Sequence, residues 1–482
     1  MSAHVPPNPP ATLPGGDPRD RRLAELEEQL RQAHVVIDGL RAEIAQLRER
    51  WAEVERTGKR QAAPFRRAEH KTDPQKPGRK PGQGTFSYRT LSPDTVPETK
   101  AAALEGCPAC GGPVSDIRDV EPFVEDVPEV RPQVTRYVTQ SGYCGRCRRR
   151  VRSRHPEQIS TATGAAGVQV GPRAKALAVD LKHRLGVPFA KACDVLAVGF
   201  GLRWTRSGAC QADARLAEQA RPVYEELIGW VQRSIIVHAD ETGWRIGTLS
   251  AWLWVFTNRQ VTVYTIREGR GHAVVVEILG RKFAGILVTD CFLAYDHQAL
   301  ADWLKQKCLA HFLRELSAMA DEKVRGAVRF ARDVMAVLRA ALALRDQKPT
   351  LPPDDFWTQA QALETQLDDL IDTRRRLTDP DNVRLAKRLR KQRPHVLRFL
   401  YIDGLDATNN QAERMLRPAV ITRKTSGCNR TAGGADAHST LASILVTCRQ
   451  QAVSHTEFLI QVQRAVGSVM PSLLPAPQPD SS

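Results

Sequence analysis

Two apolar runs that each end in an acid constrain this chain more than any other feature. "SIIVHADET" leads from Ser234 to the adjacent acids Asp240 and Glu241, and "GILVTDCFLAYD" leads from Gly285 to Asp290. Runs so rich in β-branched residues read as buried strands, and side-by-side parallel strands of an α/β sheet carry ligand groups just beyond their C-terminal ends. Between them, "SAWLWVFTN" and "VTVYTIRE" read as two more strands and "GHAVVVEILG" as a short helix. The pattern predicts a three-strand meander, a crossover helix and a fourth strand in one mixed sheet.

Two carboxylates at neighbouring strand ends repel each other. A divalent metal with hard oxygen ligands removes that conflict, and a pair of Mg²⁺ ions about 4 Å apart can clamp both reacting oxygens of a phosphoryl transfer. Such a site wants a third acid. "LDATNNQAERMLRPAVITRK" offers one: a helix starting at Asn409 or Asn410 puts Asn410, Glu413 and Arg417 on one face, ahead of Pro418 and a cationic end. Spacing alone also allows a plain Glu413–Arg417 surface pair, and Asp403 and Asp406 are rival third acids.

The preceding residues read as an apparatus for holding a polyanion. Leu23, Leu30, Ile37, Ile44 and Trp51 form one heptad column and Leu26, Ala33, Leu40, Leu47 and Val54 the other, the pattern of a parallel two-stranded coiled coil. Residues 56–86 carry nine Lys or Arg against two acids, with Pro and Gly breaking any helix, so Arg79 and Lys80 fall in a basic linker suited to tracking phosphates. "CPAC" at Cys107 and Cys110 and "CGRC" at Cys144 and Cys147 supply four soft ligands for a tetrahedral structural zinc. The 33 residues between the pairs exceed the spacing of about 15 to 20 in simple ribbons, but "FVEDVPEVRPQVTRYVTQSGY" alternates like a hairpin that would bring them together. "CRRRVRSRH" adds arginines beside the second pair, and the helical stretch 166–232 contains a helix, a Gly turn and a second helix with Arg203 and Arg206 at its start, compatible with a helix-turn-helix. The net charge of +16 and pI near 9.6 fit a nucleic-acid partner. No stretch of about 18 apolar residues and no signal peptide is legible, so the expected location is the cytoplasm, where ten cysteines are thiols or metal ligands.

Taken in order, the heptads, "KPGRKPG", the two CxxC pairs, "HADETGW", "WLWVFT", "LVTDCFLAYD", "CLAH" and "NNQAERMLRP" with "RK" resemble the DDE transposases of bacterial insertion sequences, specifically the insertion sequence 66 family. The resemblance covers nearly the whole chain. It implies a multidomain α/β protein with a ribonuclease H-like catalytic core, a mixed sheet with flanking helices interrupted by a helical insertion, preceded by a coiled coil, a zinc-binding module and a helical DNA-binding region. The implied boundaries are a disordered tail at 1–20, coiled coil 21–57, basic linker 58–100, zinc module 101–160, helical region 161–232, core 233–312, insertion 313–400, core 401–470 and a disordered tail at 471–482.

Carried over by motif, the catalytic acids and Mg²⁺ (or Mn²⁺) ligands are Asp240, Asp290 and Glu413. The implied reaction cuts the element's ends and joins the freed 3′-hydroxyl to target DNA. Arg417, Arg423 and Lys424 are expected to contact DNA together with Arg203, Arg206, Arg79 and Lys80. His238 reads as a core residue or a support for the ligands, and Trp252 and Trp254 as sheet packing. Cys308 and His311 resemble a Cys-x-x-His element of related transposases and, lacking further zinc ligands, suggest packing or DNA positioning. "TSGCNRTAGGADAHSTLASILVTCRQQ" departs from the family's aromatic-rich wording. Expected partners are DNA, both terminal inverted repeats and target, a second copy through the coiled coil, and accessory proteins of the same element, with no membrane and a nucleoid-associated bacterial location. The rival reading is a non-catalytic DNA-binding regulator from a decayed element.

Overall fold

A computed structural model describes residues 18–59, 91–92, 95–160, 167–324, 326–372, 376–465 and 469–474. Most of the basic linker, Arg79 and Lys80 included, and most of both terminal tails lie outside these. The chain divides into two compact units, Met1–Glu121 and Pro122–Ser482.

In the first unit, α1 (Pro18–Lys59) is one unbroken helix, and both heptad columns are exposed from Leu23 to Leu47. The Cys107–Cys110 turn closes through Gly111 N–H donating to the Cys107 carbonyl at 2.8 Å.

The second unit opens with residues 122–140 in no regular element, where the alternation predicted a hairpin. Pro122, Pro128 and Pro132 remove ladder donors there. The hairpin instead brackets the second cysteine pair, β1 (Ser141–Cys144) against β2 (Arg149–Arg152). Helices α2 (Pro172–His183), α3 (Phe189–Phe200), α4 (Arg206–Gln219) and α5 (Arg221–Arg233) follow. Then come β3 (Ile236–Ile246), β4 (Leu249–Thr257), β5 (Thr262–Arg267), α6 (His272–Leu279), β6 (Ile286–Thr289) and β7 (Leu304–Lys307). They make one mixed five-stranded sheet in the order β5-β4-β3-β6-β7, antiparallel from β5 to β3 and parallel from β3 to β7. The meander, crossover helix and fourth strand are as the sequence predicts; β7 is additional.

Both faces of the sheet are covered, which is why its strands are apolar at successive positions rather than at every second one. Val237, Ala239, Trp254, Phe256 and Leu287 share a core with α2, α4, α5 and α6, so the helical stretch is packed on the sheet. Ile286 and Val288 face the other way, onto α7 (Leu309–Glu322), α8 (Ala327–Gln347), α9 (Pro353–Ile371) and α10 (Pro380–Gln392). Leu253 and Val255 pack against α11 (Asn410–Ser426). Gly285 admits β6 beside β3: a Cβ there would collide with the Ser234 carbonyl oxygen.

The chain ends with α12 (Ala432–Gln450) and α13 (His455–Arg464). α12 seals the β5 edge with a ladder of hydroxyls. Ser439, Ser443 and Thr447, one helical turn apart, accept the amides of Ile266, Tyr264 and Thr262 at 3.2, 2.8 and 3.1 Å. An edge that would otherwise expose unpaired amides is thereby closed. Ser443→Val leaves the buried Tyr264 N–H without an acceptor and should lower unfolding stability by about 1–3 kcal/mol in urea titrations. An unchanged midpoint would mean the ladder is dispensable. On its other side α12 joins α2 and α4 through a buried chain: Asp213 Oδ1 to His183 Nε2 at 2.7 Å, and His183 Nδ1 to His438 Nδ1 at 2.9 Å. Burial pushes the His438 pKa well down, so its neutral ring completes this chain.

Candidate active site

β3 and β6 run parallel with a constant 50-residue offset, from Ile236 opposite Ile286 to His238 opposite Val288. The same offset carried two residues further sets Asp240 across from Asp290, at the point where β6 has ended. Each carboxylate is oriented by a backbone amide: Asp240 Oδ1 accepts the Glu241 N–H at 2.8 Å, and Asp290 Oδ1 the Phe292 N–H at 2.9 Å. Glu413 enters on the first turn of α11, which packs across β3 and β4. Burial, then the charges of Glu241, Asp290 and Glu413, push the Asp240 carboxyl up to about 7. Asp290 and Glu413, the latter 173 residues from Asp240 in sequence, therefore both come close enough to act on the Asp240 carboxyl.

Glu241 is occupied differently. Its side chain is 1% exposed, Oε1 accepts from Arg270 Nε and Nη2 at 3.0 and 2.9 Å, and Oε2 accepts from the Tyr295 hydroxyl at 2.8 Å. The Arg270 guanidinium lies between the Trp252 and Phe292 rings, 4.1 and 3.9 Å from their centroids. With both oxygens engaged by a stacked cation and a phenol, Glu241 braces the wall of the site and leaves Asp240 as the acid of β3 open to a ligand. Trp254 is fully buried in the sheet core, while Trp252 is half-buried and forms one side of the Arg270 sandwich.

Three further groups fix the floor. Lys307, at the end of β7, has a fully buried side chain whose Nζ reaches Asp296 at 2.9 Å and the carbonyl of Asp290 at 3.1 Å. Cys308, His311 and Glu413 have ligand atoms all within 4.8 Å of one another, with His311 Nε2 3.9 Å from Glu413 Oε1. The Cys-x-x-His pair thus gains from α11 a third potential ligand that sequence spacing did not indicate. Of the rival third acids, Asp403 pairs with Lys348 at 2.6 Å, and Asp406 lies 3.7 Å from His238 Nε2. His238 is buried, as predicted, and its ring faces Asn409.

Comparison with known proteins decides the family. The family model described as "Transposase IS66 family" matches residues 167–437, more than half of the chain and all three acids. The chain belongs to this transposase family. It is also similar to the uncharacterized protein y4qI of Sinorhizobium fredii (strain NBRC 101917 / NGR234), 24% identical over 306 residues, 56% of this chain and 55% of the relative. The chain spans about half the length of that curated relative.

Within this transposase-family chain the expected DNA contacts take distinct positions. α11 continues through Pro418, so Arg417, Arg423 and Lys424 all lie on the helix of Glu413. Arg417 and Lys424 are exposed, whereas Arg423 turns inward, donating to the Thr242 hydroxyl at 3.1 Å and to the Gly243 carbonyl, and so ties α11 to β3. Arg203 and Arg206 are exposed around the N-terminus of α4, which Thr205 caps by accepting the Gly208 N–H at 3.2 Å. In each CxxC turn, backbone amides at the first sulfur pull that thiol's pKa down, Ala109 and Cys110 acting on Cys107, Cys147 and Arg146 on Cys144. No helix among the described residues is long and apolar enough to cross a membrane. The residues that spacing missed, Arg270, Tyr295, Asp296, Lys307 and Asn409, act on neighbours that the fold alone brings near; only the "NN" doublet before the predicted helix hinted at one of them.

Proposed function

We propose that this chain is a DDE-type DNA transposase of a bacterial insertion sequence, with Asp240, Asp290 and Glu413 as its catalytic carboxylates. The observation that carries the reading is Asp240 itself. A carboxyl driven up to about 7 by burial and three neighbouring acids is one whose ionised form calls for a cation, and hard oxygen donors suit Mg²⁺ or Mn²⁺. Bound there by Asp240, Asp290 and Glu413, a pair of such ions would supply Lewis acidity to both the attacking and the leaving oxygen of a phosphodiester.

The protein's own share is positioning. The amides of Glu241 and Phe292 aim two of the acids, the Arg270 sandwich closes one wall, and Arg417 and Lys424 on the Glu413 helix are suited to steadying phosphates. The mixed sheet with helices on both faces is compatible with a ribonuclease H-like core, and α7 to α10, between the second and third acids, with the helical insertion. Cys107 with Cys110, and separately Cys144 with Cys147, remain proposed zinc-ligand pairs, since a thiol already lowered by turn amides gives up its proton readily to a metal. The bare heptad columns of α1 support pairing with a second copy in a parallel coiled coil. Exposed Arg149, Arg150 and Arg154 on and beside the second cysteine turn, with Arg203 and Arg206, support DNA as the partner.

The test is Mg²⁺-dependent reaction of purified protein, with and without accessory proteins of its element, on DNA carrying the element's ends. Joined products that vanish in Asp290→Asn and Glu413→Gln are expected. Cut but unjoined DNA would indicate a nuclease or resolvase, and DNA binding without any cutting would return the chain to the class of non-catalytic regulators.

A further inference from the structure

The segment just before α11 runs beside the start of α7. Leu309 N–H donates to the Ala407 carbonyl at 2.9 Å, and Cys308 N–H to the Thr289 carbonyl at 2.8 Å, so residues 407–409 lie against the start of α7, which is itself tied to the last residue of β6. Asn409, the N-cap of α11, is 1% exposed and uses every polar group it has. Its backbone N–H donates to Cys308 Sγ at 3.1 Å, and its carbonyl accepts the Glu413 N–H at 3.2 Å. Its side-chain Nδ2 donates to the Ala239 carbonyl at 2.8 Å, and its Oδ1 faces His238 Nδ1 at 3.3 Å. That polarity requires His238 to carry its proton on Nδ1.

The side-chain contacts do not serve the cap. A capping side chain turns back to its own helix, whereas this amide points across to β3. It grips the peptide that joins Ala239 to Asp240, just past the last β3–β6 ladder pair, His238 with Val288. One residue therefore holds the peptide entering Asp240 with its side chain and the amide of Glu413 with its backbone. We propose that Asn409 is a positioning residue that sets the spacing between the first and third carboxylates by clamping α11 to β3.

The inference rests on reading Asp240, Asp290 and Glu413 as metal ligands. Asn409 touches none of their carboxylates, so its loss should leave the ligands present and their spacing loose. Groups that orient metal ligands typically contribute about 10- to 100-fold in affinity. Mn²⁺ titration of the full-length chain by calorimetry, with no DNA present, reads this directly. Wild type should bind, Asp240→Asn should not, and Asn409→Ala should bind at least about tenfold more weakly. Ser443→Val, remote from the acids and destabilising, should bind as wild type does, which separates loss of spacing from loss of stability. Should Asn409→Ala fail to fold, Asn409→Ser keeps a helix-capping hydroxyl too short to span to Ala239, and the same tenfold threshold applies to it. Affinity within about twofold of wild type in the folded Asn409 variant overturns the clamp and leaves the metal reading standing. Wild type without Mn²⁺ affinity, or Asp240→Asn with full affinity, overturns both.

Discussion

Asp240→Asn is expected to abolish DNA cutting and joining while making the metal-free protein more stable. On the proposed function, the activity loss follows from removing a carboxylate that would hold the metal at the reacting phosphate, at least about 100- to 1,000-fold. The stability gain follows from the same burial that qualifies Asp240 as a ligand. Its carboxyl is pushed up to about 7 in the fold, against about 3.9 in the unfolded chain. Between those values the folded protein holds a proton that the unfolded chain has released, so stability falls as pH rises through the window and the full penalty is present above about 7. Asparagine never ionises. In thermal melts at pH 8 without divalent metal, the variant should therefore exceed wild type by on the order of 1–3 kcal/mol, a few degrees in Tm. The gap should close as the pH falls toward about 4. Added Mg²⁺ should raise the wild-type Tm alone, because only there does it bind the folded state. A variant that melts below wild type at pH 8 would mean that Asp240 is satisfied within the fold and is not waiting for a cation.

The same tension explains what could be read from the sequence. Asp240 and Asp290 were legible because an acid ending a run of buried apolar residues breaks the local pattern, and such breaks cluster where function is placed. The meander, the crossover helix and β6 were legible because their side chains sit between two helical layers and have to be apolar throughout. Glu413 needed the resemblance, since its spacing to Arg417 is that of an ordinary surface pair. β7 was invisible for the opposite reason: Lys305, Gln306 and Lys307 are polar side chains in succession, yet all three are buried. The Gln306 and Lys307 side chains find partners in the protein instead of water. Gln306 donates to the Val396 carbonyl at 2.8 Å and accepts the Phe399 N–H at 2.9 Å, and Lys305 offers its carbonyl to Arg398 at 3.2 Å. A strand whose partners lie some 90 residues downstream carries no local signal of burial. The hairpin expected over 123–143 failed in the mirror-image way, with strand-like alternation and no layer to receive it.

Lys307 is where that hidden strand meets the chemistry, and separating it from Asp296 is expected to be the costliest single change outside the apolar core. The ammonium is fully buried and the carboxylate nearly so, 2.9 Å apart. Burial alone would raise the Asp296 carboxyl, but Lys307, with Lys391 and the Gln392 amide, outweighs it and holds the group below the usual carboxylate range. A depressed carboxyl contributes stability above its unfolded pKa and loses it as pH falls through the folded value, so the pair is intact at neutral pH. Removing one partner strands the other without solvent, at a cost of about 3–5 kcal/mol. Asp296→Asn and Lys307→Met should each lose that much in denaturant titrations, and the double variant should lose less than their sum, the signature of a shared interaction. Two consequences reach the site. Lys307 also donates to the Asp290 carbonyl, and Asp296 accepts from Gln392 and lies 3.3 Å from Lys391 at the end of α10. The pair thus ties α10 to the backbone of Asp290, and if the proposed function holds, Lys307→Met should lower strand transfer even at temperatures where the variant remains folded. Additive stability losses with strand transfer intact would reduce the pair to packing and detach α10 from the positioning of Asp290.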